Sequence, residues 1–306
     1  MSDAVLAELV RSGVVESQHR GYLIALNADG SIALELGDSS HLIFPRSTVK
    51  SFQAAAMVRH GLELEPRLLA LAASSHSGSA AHQDAVREIL ATVGLDESAL
   101  QCMLDRPLGE AERRAYGDKA PTRIAMNCSG KHAAMLVTCV KNGWSIENYL
   151  DPEHPLQIAC RTELETLSGE TITLTSTDGC GAPLFLISVA GLARAIRAIT
   201  LSQEIPHTSV LSASRQYPEM VAGEGRLTTE MIRSVPGLYM KDGVEAVEVA
   251  SMPDGRTLVF KVSDGSIRPF KAVLHAGLAA LGVDSPYEVE RVLGGDKVIG
   301  QIRSTF

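Results

Sequence analysis

Tyr22-Leu23-Ile24-Ala25-Leu26-Asn27-Ala28-Asp29-Gly30-Ser31-Ile32-Ala33-Leu34-Glu35-Leu36 reads as two short β-prone runs, Tyr22 to Leu26 and Ser31 to Leu36, joined by turn-forming residues. Ile32, Leu34 and Leu36 alternate in the manner of a half-buried strand, and Asp29-Gly30 is a dipeptide suited to a tight hairpin turn. A second β region lies near the other end: Leu238 to Lys241, Val244 to Met252 and Arg256 to Val262, with Pro253-Asp254-Gly255 turning the last two. Between these ribbons the apolar spacing is helical over Ser47 to His60, Ala81 to Val93, Lys131 to Asn142, Leu156 to Leu167 and Leu184 to Ile199, and a final helix is expected over Lys271 to Leu281. Gly61, Gly94 and Gly143 follow the first three, where a helix stop belongs. Strands at both ends and helices between them predict an α+β domain whose two ends pair into one antiparallel sheet covered by helices. Without a Pro/Ser-rich linker, a low-complexity tract or an internal period, a single domain over residues 1–306 is expected.

Composition narrows the function classes. The chain has 306 residues, 45% hydrophobic and 21% charged, enough to bury a large core without disulfide staples. Lys plus Arg total 28 against 36 Asp plus Glu, a net charge of -8, which excludes a basic nucleic-acid footprint and favours a small substrate. Asp3 stands where a secretory signal would be basic, so a cytoplasmic location is expected. The most apolar run, Pro183 to Ala193, is too short to cross a bilayer. Five cysteines without a CxxC pair, Cys102, Cys128, Cys139, Cys160 and Cys180, suit a reducing compartment and no structural disulfide.

Four places carry candidate chemistry. Ser47-Thr48-Val49-Lys50 is an S-x-x-K at a predicted helix start, and three residues along a helix bring hydroxyl and amine to neighbouring positions. The bland alternative is that Ser47 caps the helix and Lys50 is solvated. Ser74-Ser75-His76-Ser77-Gly78 ends the apolar run Leu68 to Ala73 with a dense set of hydroxyls, which is either a pocket edge or a capped polar loop. Phe260-Lys261-Val262 sets a lysine in a β-prone run, where a solvent-facing side chain is the ordinary outcome. The chain order of these three is that of class A β-lactamases and penicillin-binding proteins, although their K-T-G is Lys261-Val262-Ser263 here. Last, Asn127-Cys128-Ser129-Gly130-Lys131-His132 and Thr177-Asp178-Gly179-Cys180-Gly181-Ala182-Pro183 each set a thiol among small residues at a predicted helix start. Two such thiols could share a zinc ion, with His132 the third ligand by its chemistry; the alternative is two buried free cysteines.

Taken together these strings resemble the serine-lysine L-asparaginase II family, the rhizobial-type, class 3 bacterial L-asparaginases. The likeness is carried by Arg46-Ser47-Thr48-Val49-Lys50, Ala73-Ser74-Ser75-His76-Ser77, Asn127-Cys128-Ser129-Gly130-Lys131-His132, Thr177-Asp178-Gly179-Cys180, Pro218-Glu219-Met220-Val221-Ala222-Gly223-Glu224-Gly225-Arg226 and Lys261. Read without it, the Pro218 to Arg226 string would be a flexible Gly-rich loop.

The resemblance implies a fold similar to serine β-lactamases and glutaminases, and hydrolysis of L-asparagine to L-aspartate and ammonia. It implies two serine-lysine pairs, Ser47 with Lys50 and Ser75 with Lys261, and ammonium repulsion in a shared pocket would lower at least one lysine pKa. Ser47 is the expected nucleophile, Lys50 its base, and Ser75 with Lys261 the relay to departing ammonia. It also implies Zn2+ on Cys128, Lys131 and Cys180, in place of the His132 that ligand chemistry favoured, and a homodimer. Asp178 is the candidate partner of the substrate α-ammonium, with His132 grouped beside it for substrate binding. Two other readings remain: a glutaminase or β-lactamase-like serine hydrolase, and a non-catalytic zinc-binding protein.

Overall fold

A computed structural model of the chain describes residues 3–286 and 288–306. The chain forms two compact units. One comprises Met1–Thr48, Ile187–Leu201 and Ser234–Phe306, the other Val49–Leu186 and Ser202–Arg233.

The first unit is built on an antiparallel sheet that joins the chain's two ends. Strand order is Arg291–Gly294, Lys297–Ser304, Ala4–Arg11, Val14–Leu26, Thr257–Val262, Val247–Ser251 and Tyr239–Gly243, with Ile32–Leu36 pairing beside Val14–Leu26. Leu26 stands opposite Thr257 and Gly21 opposite Val262, so the N-terminal hairpin and the C-terminal ribbon meet at the centre of the sheet. The expected hairpin turn closes with Asn27 N–H donating to the Ser31 carbonyl at 2.8 Å, and Gly30 takes φ +89°, which a side chain would resist. Helices Val189–Leu201 and Phe270–Ala280 pack on this sheet, completing the α+β architecture.

The second unit is helical. Ala80–Ala91 packs on Ser129–Asn142, and Lys50–Arg59 on Pro155–Ser168 and Ile205–Gln216. Pro66–Ala72 packs on Ile205–Gln216 as well. Among the described residues no helix is long and apolar enough to cross a membrane.

Two segments depart from the sequence expectation, and a third differs from the alternative set aside for it. The run over Leu184 to Ile199 is split: Pro183–Phe185 and Ile187–Ser188 are short strands, and the helix begins at Val189. A continuously apolar stretch carries no period that separates a buried strand from a buried helix. Ser47 lies in a 3-10 turn, Arg46–Val49, and the α-helix starts at Lys50, so Ser47 is not on the α-helix that carries Lys50. Finally, Pro218 to Arg226 is not a flexible loop. Pro218–Val221 is a helical turn, and Pro218, Met220, Val221 and Ala222 are buried.

Candidate active site

In the helical unit the chain between Pro66–Ala72 and Ala80–Ala91 has no regular structure, and it carries Ser75. Its backbone groups must therefore find irregular partners. Lys50, the first residue of its helix and 1% exposed, points at this loop. Its Nζ donates to the Ser74 carbonyl at 2.5 Å, to Ser75 Oγ at 3.0 Å and to Cys128 Sγ at 3.1 Å. Three polar contacts on one nitrogen are how a lysine can be buried at all. The resemblance pairs Ser75 with Lys261; in the structure the hydrogen bond to Ser75 comes from Lys50.

The start of Ser129–Asn142 and the turn between Thr175–Thr177 and Pro183–Phe185 bring the second group together. The hydrogen bond between the two thiols is the first cause that raises the Cys128 pKa and lowers that of Cys180. Lys131 Nζ lies 3.3 Å from Cys180 Sγ. Burial alone would lower the Lys131 pKa, but the Cys180 and Cys128 sulfurs and the Asp178 carboxylate together raise it. His132 is fully buried; its Nδ1 meets the Tyr149 hydroxyl at 2.8 Å, and Cys180 is its other polar neighbour. Burial lowers its pKa, opposed by the nearby Cys180. Asp178 lies partly exposed in the turn, its Oδ2 3.8 Å from Cys180 Sγ. Two thiols and an imidazole are donors of the kind that zinc takes, whereas the raised pKa of Lys131 keeps its amine protonated. Among the described residues no three of His, Cys, Asp and Glu are arranged to hold a metal ion.

The remaining two candidates belong to the sheet unit. Ser47 is buried, and its backbone nitrogen approaches Gly243 so closely that a Cβ there would stand 3.3 Å from it. Lys261 projects from Thr257–Val262 and donates at 2.5 Å to the carbonyls of Glu245 and Val262. Burial lowers its pKa, the carboxylates of Glu245 and Asp264 oppose this, and Arg46 adds to it.

The profile of the L-asparaginase II family matches residues 7–301. The chain belongs to the L-asparaginase II family. Membership supports an amidohydrolase of asparaginase type acting on a small amide. No curated protein matches the chain. Among solved structures it is similar to a β-lactamase from Mycobacterium bovis at 15% identity, covering 85% of this chain and 94% of the other with a TM-score of 0.47. It is also similar to EstCE1, a hydrolase with promiscuous acyltransferase activity, at 11% identity, 85% and 93% coverage and a TM-score of 0.47. Both are too distant to carry a mechanism or substrate across.

Sequence reasoning passed over two features of this site: the contact of Cys128 with Lys50, and Arg226, whose Nη1 donates to the Ser75 carbonyl at 3.0 Å. Neither has a signal in spacing, because 78 and 151 positions separate the partners.

Proposed function

We propose that this L-asparaginase II family member hydrolyses L-asparagine to L-aspartate and ammonia through a serine acyl-enzyme, with lysine moving the proton. The observation that carries the reading is the 3.0 Å contact between Lys50 Nζ and Ser75 Oγ in a buried setting. With Lys50 neutral, the Ser75 hydroxyl passes its proton to Nζ while Oγ attacks the carboxamide carbon. The proton returns to the departing nitrogen, the C–N bond breaks, and ammonia leaves an aspartyl ester on the serine. Water then attacks the ester, the serine recovers its proton, and L-aspartate is released. Ser47 and Lys261 are the other two members of the serine-lysine set that the family likeness implies, Ser47 as the alternative attacking hydroxyl and Lys261 as the proton relay. Asp178 offers the carboxylate for the substrate α-ammonium, and His132, held by Tyr149, is the second candidate for substrate binding.

Cys128, Lys131 and Cys180 would hold zinc. When bound, it supplies a fixed positive centre that orients the substrate. The chain's own lysines then handle the protons.

The test is ammonia release from asparagine against glutamine, with a chromogenic lactam as third substrate. Faster turnover of asparagine is expected. Preference for glutamine moves the reading to a glutaminase, and preference for the lactam to a β-lactamase-like hydrolase. Tight zinc binding with no amide turnover favours the non-catalytic reading.

A further inference from the structure

We infer that Arg226 is a positioning residue for Ser75, the outermost part of a clasp formed by residues 218–226; this rests on Ser75 being a reacting hydroxyl, as proposed above. Lys50 holds the Ser75 loop from one side, through the Ser74 carbonyl and Ser75 Oγ. The clasp holds it from another. Ser75 N–H donates to the Val221 carbonyl at 2.9 Å, and Arg226 Nη1 donates to the Ser75 carbonyl at 3.0 Å. Ser77 Oγ donates to the Ala222 carbonyl at 2.9 Å, and His82 Nε2 meets the Glu219 carbonyl at 2.8 Å.

The clasp is itself locked. Thr229 Oγ1 donates to the Gly223 carbonyl at 2.6 Å and stands 3.1 Å from the Pro218 carbonyl, its alternative acceptor. Gly223 takes φ +132°, and a Cβ on it would fall 1.5 Å from Ser77 Oγ, so glycine is required for the two chains to lie this close.

The peptide unit after Ser75 is pinned at both ends, its carbonyl by Arg226 and its N–H, that of His76, by the Asn127 carbonyl at 3.1 Å. Pinning that plane fixes ψ of Ser75 and so helps set where Oγ stands relative to Lys50 Nζ. A displacement of about 1 Å at a reacting atom costs on the order of a hundredfold in rate. The guanidinium reaches Ser75 through its backbone carbonyl, so its loss is expected to fall on kcat rather than on KM.

The experiment uses full-length Arg226→Met, Arg226→Lys and Ser77→Ala. It measures kcat and KM for ammonia release, Tm, and the rate at which a fluorophosphonate labels Ser75, its Oγ bonding to phosphorus as fluoride leaves, read by peptide mass. Arg226→Met is expected to lower both kcat and labelling about 10- to 100-fold with KM within about twofold. Arg226→Lys should recover part of both rates, and Ser77→Ala should lower both by a few-fold. Unchanged labelling in Arg226→Lys and Ser77→Ala overturns the inference even where Arg226→Met does not fold, and so does a raised KM with kcat intact. If the parent releases no ammonia from any amide, the asparaginase reading falls while the labelling rates still decide the clasp. A parent whose Ser75 takes no label sinks the clasp itself.

Discussion

Lys50 Nζ and Ser75 Oγ stand 3.0 Å apart although 25 positions separate them in the chain. The helix start that carries the amine and the irregular loop that carries the hydroxyl are brought together by burial, and Cys128 completes the lysine's acceptors. Ser75→Ala and Lys50→Met should each lower ammonia release at least about a thousandfold, as loss of a nucleophile or its base does. They should differ in stability. Lys50→Met strands the buried Ser74 carbonyl and lowers Tm, whereas Ser75→Ala removes only a hydroxyl. Calorimetry beside the ammonia assay checks both, and a Ser75→Ala enzyme with parental turnover leaves the attack to Ser47.

A second buried ionic group lies away from this chemistry. Glu163 accepts from His207 Nε2 at 2.5 Å and from Arg59 Nε at 3.0 Å. Burial raises the Glu163 pKa, but these two hydrogen bonds and the positive charge of Arg59 leave it below the usual carboxylate value. A depressed carboxylate stabilises the fold fully above its unfolded pKa, and that stability is lost as pH falls through the folded value. Glu163→Gln should therefore cost roughly 2 kcal/mol at pH 7. Denaturant titrations are expected to show the gap between variant and parent closing below about pH 4.

How much of this was legible in the sequence follows from where each signal resides. The hairpin over residues 22–36 and the ribbon over 238–262 announce themselves through alternation and Asp-Gly turns, and both are present. Ala4–Arg11 and the hairpin Arg291–Gly294 with Lys297–Ser304 went unread. Val5 and Ala7 flank a register shift, and a bulge breaks the alternation that marks a strand. Lys297–Ser304 is largely exposed, so it lacks an apolar face. At the site, spacing speaks only for near neighbours in the chain, and the contact of Lys50 with Ser75 lies beyond its reach. S-x-x-K spacing suggests Ser47 with Lys50, because local geometry is all that spacing encodes. The partner of Lys50 in the helical unit is set by tertiary packing, as is the hold of Arg226 on Ser75.

The thiol pair makes a separate prediction. Cys128 and Cys180 share a hydrogen bond beside Lys131, whereas Cys139 lies in the core with its pKa pushed up to about 12 by burial. Purified parent should carry about one zinc per chain by elemental analysis, and Cys128→Ser, Cys180→Ser and Lys131→Met should each lose most of it. Cys139→Ser should keep it. Unchanged stoichiometry in the first three removes the assignment.

Lys261 gives the reaction a pH signature. Its pKa is lowered by burial, and the Glu245 carboxylate works against that shift by favouring the ammonium. An amine that must be neutral to accept a proton becomes competent as pH rises through its pKa, so kcat/KM should climb on the alkaline side. Glu245→Gln removes the opposing charge but keeps the Glu245 main-chain carbonyl that Lys261 Nζ reaches at 2.5 Å. With the ammonium less favoured, the lysine loses its proton at lower pH, and the rising limb should shift toward acid by roughly half a pH unit or more. Rate profiles of parent and variant from pH 6 to about 10 test this. A limb that stays in place means that the titrating base is not Lys261, and a shift toward alkali contradicts the sign of the interaction.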